Sequence, residues 1–220
     1  MNSSSRFMHR ALRDKEDTAR NPQYDIYLVG VGGQGVLTIG DLIAGAAMET
    51  GLSVNFYPTK GMAQRGGSVK VQVRLGREVV GPQIPEQKAD LVIAMERSEA
   101  LKAVRYVKPG GDFLLYGHVW EPTKVMLGKA AYPTVEQVSE RIRQAGGELH
   151  YLDPENLPRR DGAPLPANVY VLGAAVGRTG LGRILDVETV VGVVTGRWEK
   201  YAAVNERAFR AGLEADVDGA

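Results

Sequence analysis

Residues Tyr24–Thr50 confine this chain to a small set of folds. A buried-type run, Tyr24-Asp25-Ile26-Tyr27-Leu28-Val29, leads straight into Gly30-Val31-Gly32-Gly33-Gln34-Gly35. From there Val36, Ile39, Ile43 and Ala47 recur at helical spacing, which predicts a helix over 35–50. Gly40, Ala44 and Ala47 form a small-residue ridge that lets this helix lie close on a sheet, and Gly51 is placed to stop it. Strand, glycine turn and helix make the opening unit of an open α/β sheet.

The remaining pattern agrees. Leu52–Tyr57 reads as a strand and Pro58–Gly67 as a loop. Ser68–Leu75 alternates Val69, Val71, Val73 and Leu75 with polar partners, a strand with one wetter face, turning through Gly76-Arg77 to pair with Glu78-Val79-Val80. Ala89–Met95 and Asp112–Tyr116 are short apolar runs of the kind buried in parallel sheets. Between them Ser98–Val107 is a helix with Ser98 as N-cap, closed by Lys108-Pro109-Gly110-Gly111. Residues 117–133 are irregular, and Trp120 there suits an interface. Thr134 and Gln137 form a capping box for a helix to Gln144, followed by a strand over Glu148–Leu152. The proline-rich 154–166 is a loop, with Asp153, Glu155 and Asp161 as solvated charges. A buried helix starts at Asn168, and two more fill Val187–Glu214. In the last, Trp198, Tyr201, Ala202 and Phe209 share a face expected to be core. The expected fold is α/β: a mostly parallel, Rossmann-like open sheet with helices on both faces and a small antiparallel insertion. It spans 24–220 as one domain.

Residues 1–23 lie outside that pattern. They are polar, lack the apolar centre of a secretory signal, and carry Asp14, Glu16 and Asp17, which argue against a transit peptide. They are expected to be a flexible extension.

The glycine loop admits three uses. Gly30 permits a tight turn, Gly32 lets backbone approach an anion, and Gly35 lets helix pack on strand. The helix terminus beyond it favours negative charge. The loop can therefore bind a dinucleotide, cradle a phosphate or carboxylate, or simply turn the chain. A dinucleotide needs a carboxylate roughly 20 residues on, at the end of the second strand. Asn55, Phe56 and Tyr57 stand there, and no Asp or Glu occurs between Glu49 and Glu78. Gln34 argues for a site, since an exposed amide donates and accepts where a bare turn needs neither.

A second run, Gly61-Met62-Ala63-Gln64-Arg65-Gly66-Gly67-Ser68, follows within thirty residues. Arg65 offers a planar cation for carboxylate or phosphate, Gly66 and Gly67 admit close backbone approach, and Ser68 adds a hydroxyl. Alone, the run also fits a flexible hairpin with a solvated arginine. Other site types find little support. His9, His118 and His150 are far apart in sequence and unpaired with acids at ligand spacing, so no metal site is expected. There are no cysteines, so no ferredoxin-type cluster can be held by this chain. The formal net charge of +1 gives no case for nucleic acid or a membrane surface. No stretch approaches the ~20 apolar residues of a membrane span.

Together the two runs resemble one family. Gly30-Val31-Gly32-Gly33-Gln34-Gly35 with Lys60-Gly61-Met62-Ala63-Gln64-Arg65-Gly66-Gly67-Ser68-Val69 is similar to the small subunit of indolepyruvate:ferredoxin oxidoreductases, and more broadly to the gamma-type domain of 2-oxoacid:ferredoxin oxidoreductases. The likeness continues through Pro82-Gln83-Ile84-Pro85, Ala89-Asp90, Lys108-Pro109-Gly110-Gly111 and Pro166-Ala167-Asn168, over about residues 24–212. It implies a cytoplasmic subunit, inactive alone, in CoA-dependent oxidative decarboxylation of a 2-oxoacid. The expected products are an acyl-CoA, carbon dioxide and reduced ferredoxin. Thiamine diphosphate, magnesium and [4Fe–4S] clusters would sit on a large partner subunit, with coenzyme A as co-substrate. Gly30, Gly32, Gly33, Gln34, Gly35, Gln64, Arg65, Gly66, Gly67 and Ser68 would then line a crevice for an anion or the partner, with no catalytic residue on this chain. A stand-alone dinucleotide-dependent oxidoreductase and a ligand-binding regulatory module remain the alternatives.

Overall fold

A computed structural model describes residues 22–60, 67–78, 81–120 and 131–217. One sheet holds six strands: β1 (Tyr24–Val31), β2 (Val54–Lys60), β3 (Ser68–Leu75), β4 (Ala89–Ala94), β5 (Val107–Tyr116) and β6 (Glu148–Leu152). Their spatial order is β2-β3-β1-β4-β5-β6. β1, β4, β5 and β6 run parallel, and β3 is antiparallel to both β1 and β2. All eight residues of β1 are buried, so apart from Asp25 its sequence is a near-continuous apolar run rather than an alternating one.

Helices close both faces. α1 (Val36–Glu49), α4 (Ala167–Arg178), α5 (Val187–Arg197) and α6 (Ala202–Leu213) share a core with Tyr24, Ile26, Leu28, Val71, Val73 and Leu114. α2 (Arg97–Ala103) and α3 (Val135–Gln144) cover the other face over Tyr27, Val29, Val92 and Phe113. No helix among the described residues is long and apolar enough to cross a membrane.

Local chemistry sets the element ends. Gly51 takes φ 78°, and the N–H groups of Gly51 and Leu52 close on the carbonyls of Met48 and Ala47, which terminates α1. β2 then starts two residues later than the sequence suggests and runs three further, through Pro58. It is an edge strand, where a missing N–H is tolerated. β3 also departs from expectation. It pairs along its whole length with β1 and β2, not with Glu78-Val79-Val80; Glu78 lies in a bend, and Val79 and Val80 fall outside the described residues. Its wetter face is buried as well. Ile84 N–H donates to Gln72 Oε1 at 2.5 Å, and Arg74 donates to the carbonyls of Gly81 and Gln83, so segment 81–84 seals that face.

Three further readings change. Glu96, not Ser98, caps α2: its Oε2 accepts Glu99 N–H at 2.8 Å and the Ser98 hydroxyl at 2.7 Å. Lys108-Pro109-Gly110-Gly111 lies within β5, where an irregularity between Ala89↔Val107 and Leu91↔Asp112 absorbs the extra residues. Trp198 and Tyr201 are 37% and 53% exposed, whereas Phe209 is fully buried. The backbone is extended at Trp198 (φ −143°), which breaks the helical phase linking them to Phe209. Within 154–166, Arg159–Arg160 and Ala163–Pro164 form a two-strand hairpin, β7 and β8, that turns at Asp161-Gly162 with positive φ at both.

The capping box of α3 is as the sequence predicts. Gln137 N–H donates to Thr134 Oγ1 (3.2 Å), and Thr134 N–H donates to Gln137 Oε1 (3.0 Å). Thr134→Ala should therefore lower stability by about 1 kcal/mol, read as a shift of the urea midpoint with an unchanged slope.

Candidate functional site

β1 and β4 are parallel neighbours, yet the helices that follow them pack on opposite faces of the sheet. The crevice between their carboxyl ends is thus a topological switch point, where open α/β sheets take their ligands. The first glycine run forms one lip. A Cβ at Gly30 would lie 2.7 Å from Gln34 Oε1 and 2.9 Å from Met95 Cβ, so only glycine fits between loop and β4. Gly35 takes φ 75° as N-cap of α1, and Asn168 of α4 packs where its side chain would be. Gly33, at φ 102°, is exposed and has nothing within 4 Å of where a Cβ would lie.

Gln34 has an internal task. Its Oε1 accepts Val31 N–H at 2.9 Å and its Nε2 donates to the Met95 carbonyl at 3.0 Å. The turn therefore does use the amide, as a brace between the glycine loop and the end of β4. One N–H and one lone pair of that amide are left to face outward.

The second run meets the first at this corner. Gly32 N–H donates to the Gly67 carbonyl at 2.9 Å, where Val31 of β1 stands opposite Ser68 of β3. The Ser68 hydroxyl turns toward α2 and donates to Glu99 Oε2 at 2.7 Å. Gln64, Arg65 and Gly66 lie outside the described residues; the strand ends flanking them, Lys60 and Val69, pair at this same edge. The carboxyl end of β2 is Lys60, and no carboxylate stands there for a ribose.

Electrostatics divide the corner in two. α1 begins with no side-chain cap and no acidic residue in its first turn, leaving free N–H groups and the positive end of its dipole toward the crevice. On the α2 side sit two buried carboxylates, Glu96 and Glu99, which the sequence reading missed. Glu99 Oε1 is paired with Lys102 at 2.5 Å. Glu96 Oε1 is buried with no hydrogen-bond partner among the described residues. An anion is therefore favoured on the α1 side and disfavoured beside α2. The available signal was positional: Glu96-Arg97-Ser98-Glu99 follows directly on the buried run Ala89–Met95.

The histidines also differ from expectation. His150 Nε2 lies 2.7 Å from Asp112 Oδ1, far from the glycine corner, and Glu148 stands beside them. Glu148 and His150 alternate along one strand, so they share a face, a pattern legible in the sequence. His9 lies outside the described residues, and His118 belongs to no such group among the described residues.

Comparison with known proteins places the chain in a family. The sequence pattern of the pyruvate ferredoxin/flavodoxin oxidoreductase family matches residues 25–215. Indolepyruvate oxidoreductase subunit IorB of Thermococcus kodakarensis is 35% identical over 195 residues, 88% of this chain and 96% of that one. Among solved structures, pyruvate oxidoreductase subunit PORC of Thermotoga maritima superposes with TM-score 0.64 at 23% identity, covering 89% of this chain and 97% of that one. The 2-oxoglutarate:ferredoxin oxidoreductase of Magnetococcus marinus, solved with 2-oxoglutarate, coenzyme A and succinyl-CoA bound, does so with TM-score 0.55 at 22% identity, over 88% of this chain and 32% of that one. At these identities the structures establish the shared fold. The chain belongs to the pyruvate ferredoxin/flavodoxin oxidoreductase family. It is part of a 2-oxoacid:ferredoxin oxidoreductase.

Proposed function

We propose that this chain is the small subunit of an indolepyruvate-type 2-oxoacid:ferredoxin oxidoreductase, and that its glycine corner completes a site on a larger partner. The substrate class follows the full-length similarity to an indolepyruvate oxidoreductase subunit. The partner would carry thiamine diphosphate with its magnesium and the [4Fe–4S] clusters. This chain has no thiolate to hold a cluster, which accords with that division. Electrons would pass to ferredoxin in the cytoplasm.

One observation supports the role of the corner: the Gly32–Gly67 hydrogen bond joins the first glycine run to the last residues of the second, beside the uncapped start of α1. There Gly33, with the partly exposed Gly32 and Gly35, would turn backbone toward an anion, while the buried Gly30 lets the loop pack on β4 and Gln34 holds it there. Gln64, Arg65, Gly66 and Gly67 would join them from the segment between β2 and β3, with Ser68 holding its end to Glu99. The anion is a coenzyme A phosphate, the 2-oxoacid carboxylate or an acidic loop of the partner. Coenzyme A is favoured by its presence in the related 2-oxoglutarate enzyme.

Co-expression with a large subunit bearing thiamine and cluster motifs tests the reading. The two should co-purify and reduce a viologen dye with indolepyruvate and coenzyme A; failure of both would remove it. Within an active complex, Arg65→Ala should lower turnover by about 10- to 100-fold, the loss of a charged hydrogen bond. The melting temperature should stay where it was. Unchanged kinetics would take Arg65 out of the site.

A further inference from the structure

A second cluster of chemistry lies at the amino end of β6, away from the glycine corner. Asp112 of β5 and Glu148 of β6 are register partners, and His150 is two residues along the same face of β6. One ligand atom from each, two carboxylate oxygens and an imidazole nitrogen, lie within 4.8 Å of one another. Two of them already touch: His150 Nε2 and Asp112 Oδ1 are 2.7 Å apart, with both side chains more than four-fifths buried. The other oxygen of Asp112 is fixed by Gly180 N–H at 2.8 Å, from the turn after α4. Asp112 is thus held in place from two directions, and the strand pairing holds Glu148 and His150.

An ion pair between Asp112 and His150 needs no third group. Glu148, exposed on the edge strand, adds a second carboxylate to the same group, and a divalent cation would offset both charges. A further polar group also faces this cluster without a partner. Tyr24 is 8% exposed and its hydroxyl makes no hydrogen bond among the described residues. Tyr24 Oη and Asp112 Oδ2 would lie 3.1 and 3.3 Å from a Cβ at Gly180, so both point into the space that glycine leaves open. The neighbouring Thr179 hydroxyl donates to the Ala175 carbonyl and accepts Leu181 N–H, which leaves it one lone pair beside Tyr24. Asp90 and the exposed Arg183 are the other charged groups that act on this site.

We propose that Asp112, Glu148 and His150 form a site for a divalent transition-metal ion, with zinc as the first candidate. One imidazole and two carboxylates match the borderline preference of zinc and cobalt, whereas calcium and magnesium take oxygen alone. Bond lengths of about 2.0–2.2 Å place ligand atoms roughly 3.3 Å apart, so the 2.7 Å contact between His150 and Asp112 would open and the Glu148 carboxylate would close in, by side-chain adjustment. A metal-bound water is then the natural partner for the Tyr24 hydroxyl. The ion would tie edge strand β6 to β5 and to the turn at Gly180.

Titration of the full chain with Co²⁺, followed by its visible d–d absorption, tests the site. One equivalent should bind saturably and be displaced by Zn²⁺. Glu148→Gln, at an exposed position of β6, and His150→Gln, at a partly buried one, should each weaken binding at least 10-fold, while His118→Gln should leave it unchanged. Two results overturn the proposal. One is no saturable Co²⁺ binding to a wild-type chain that circular dichroism shows to be folded. The other is wild-type affinity in either β6 variant, which is also what a site built on His9 would give.

Discussion

Gly173→Val is expected to leave this chain without a stable fold. α4 and α6 cross so closely that a Cβ at Gly173 would be driven onto the carbonyl oxygen of Phe209, and one at Gly212 onto that of Tyr170. Gly177 meets the Leu213 carbonyl in the same way, at 2.5 Å. These obstacles are backbone atoms, so no change of rotamer relieves them. The helices would have to separate, opening the layer that buries Phe209, Ala174 and Ala208. Overpacking by added methyl groups costs about 1–3 kcal/mol where side chains can shift. Against immovable backbone the cost exceeds that range and consumes most of a ~5–15 kcal/mol stability. Gly192→Ala is the matched control: this helical glycine of α5 has nothing within 4 Å of where its Cβ would lie. It should gain up to about 1 kcal/mol from helix propensity. Urea unfolding of both variants decides the matter, and a Gly173→Val midpoint equal to wild type would mean the helices do not cross as described.

What the sequence reveals and hides follows from where each group finds its partner. Alternation exposed Ser68–Leu75 as a strand, because Val71, Val73 and Leu75 face one core. It could not show that Gln72 and Arg74 are buried too, since their partners are Asp25, 49 residues before Arg74, and the backbone of an irregular segment, 81–84, that folds back over them. Gln34 looked available for the same reason: the Met95 carbonyl it braces is 61 residues on. Glycine and proline at 108–111 mark turns in most contexts, but a parallel pair can absorb such an irregularity and continue. At the site, the residues of the first glycine run with Gly67 and Ser68 do gather at one edge, as strand–turn–helix logic requires. Glu96 and Glu99 escaped because a search for anion-binding groups passes over carboxylates. His150 escaped because Asp112 lies 38 residues away.

Asp25→Leu is the second substitution with a large expected effect, about 3–5 kcal/mol of lost stability. Asp25 is 1% exposed and accepts two parallel hydrogen bonds from Arg74, at 3.0 Å each, with Arg77 at 3.2 Å on one oxygen. Leucine would leave the Arg74 guanidinium buried with only the Gly81 and Gln83 carbonyls for company. Arg77 is partly exposed and can turn to water. The cost is thus that of a stranded charge, and removing the charge as well should reverse it. Asp25→Leu with Arg74→Met is expected to regain most of the loss, because a buried ion pair replaced by apolar groups is often close to neutral. Its benefit is then specificity rather than stability. Asp25 and Arg74 are register partners, and that register places Ser68 opposite Val31 and Gly67 against Gly32 at the far end of the strands. A slip of β3 would carry the second glycine run away from the first. The double variant should therefore unfold near the wild-type midpoint yet exchange the Gly32 amide proton faster, since its partner carbonyl is less firmly held. Should Asp25→Leu alone cost under 1 kcal/mol, the pair does not hold the register, and another contact must keep Gly67 against Gly32.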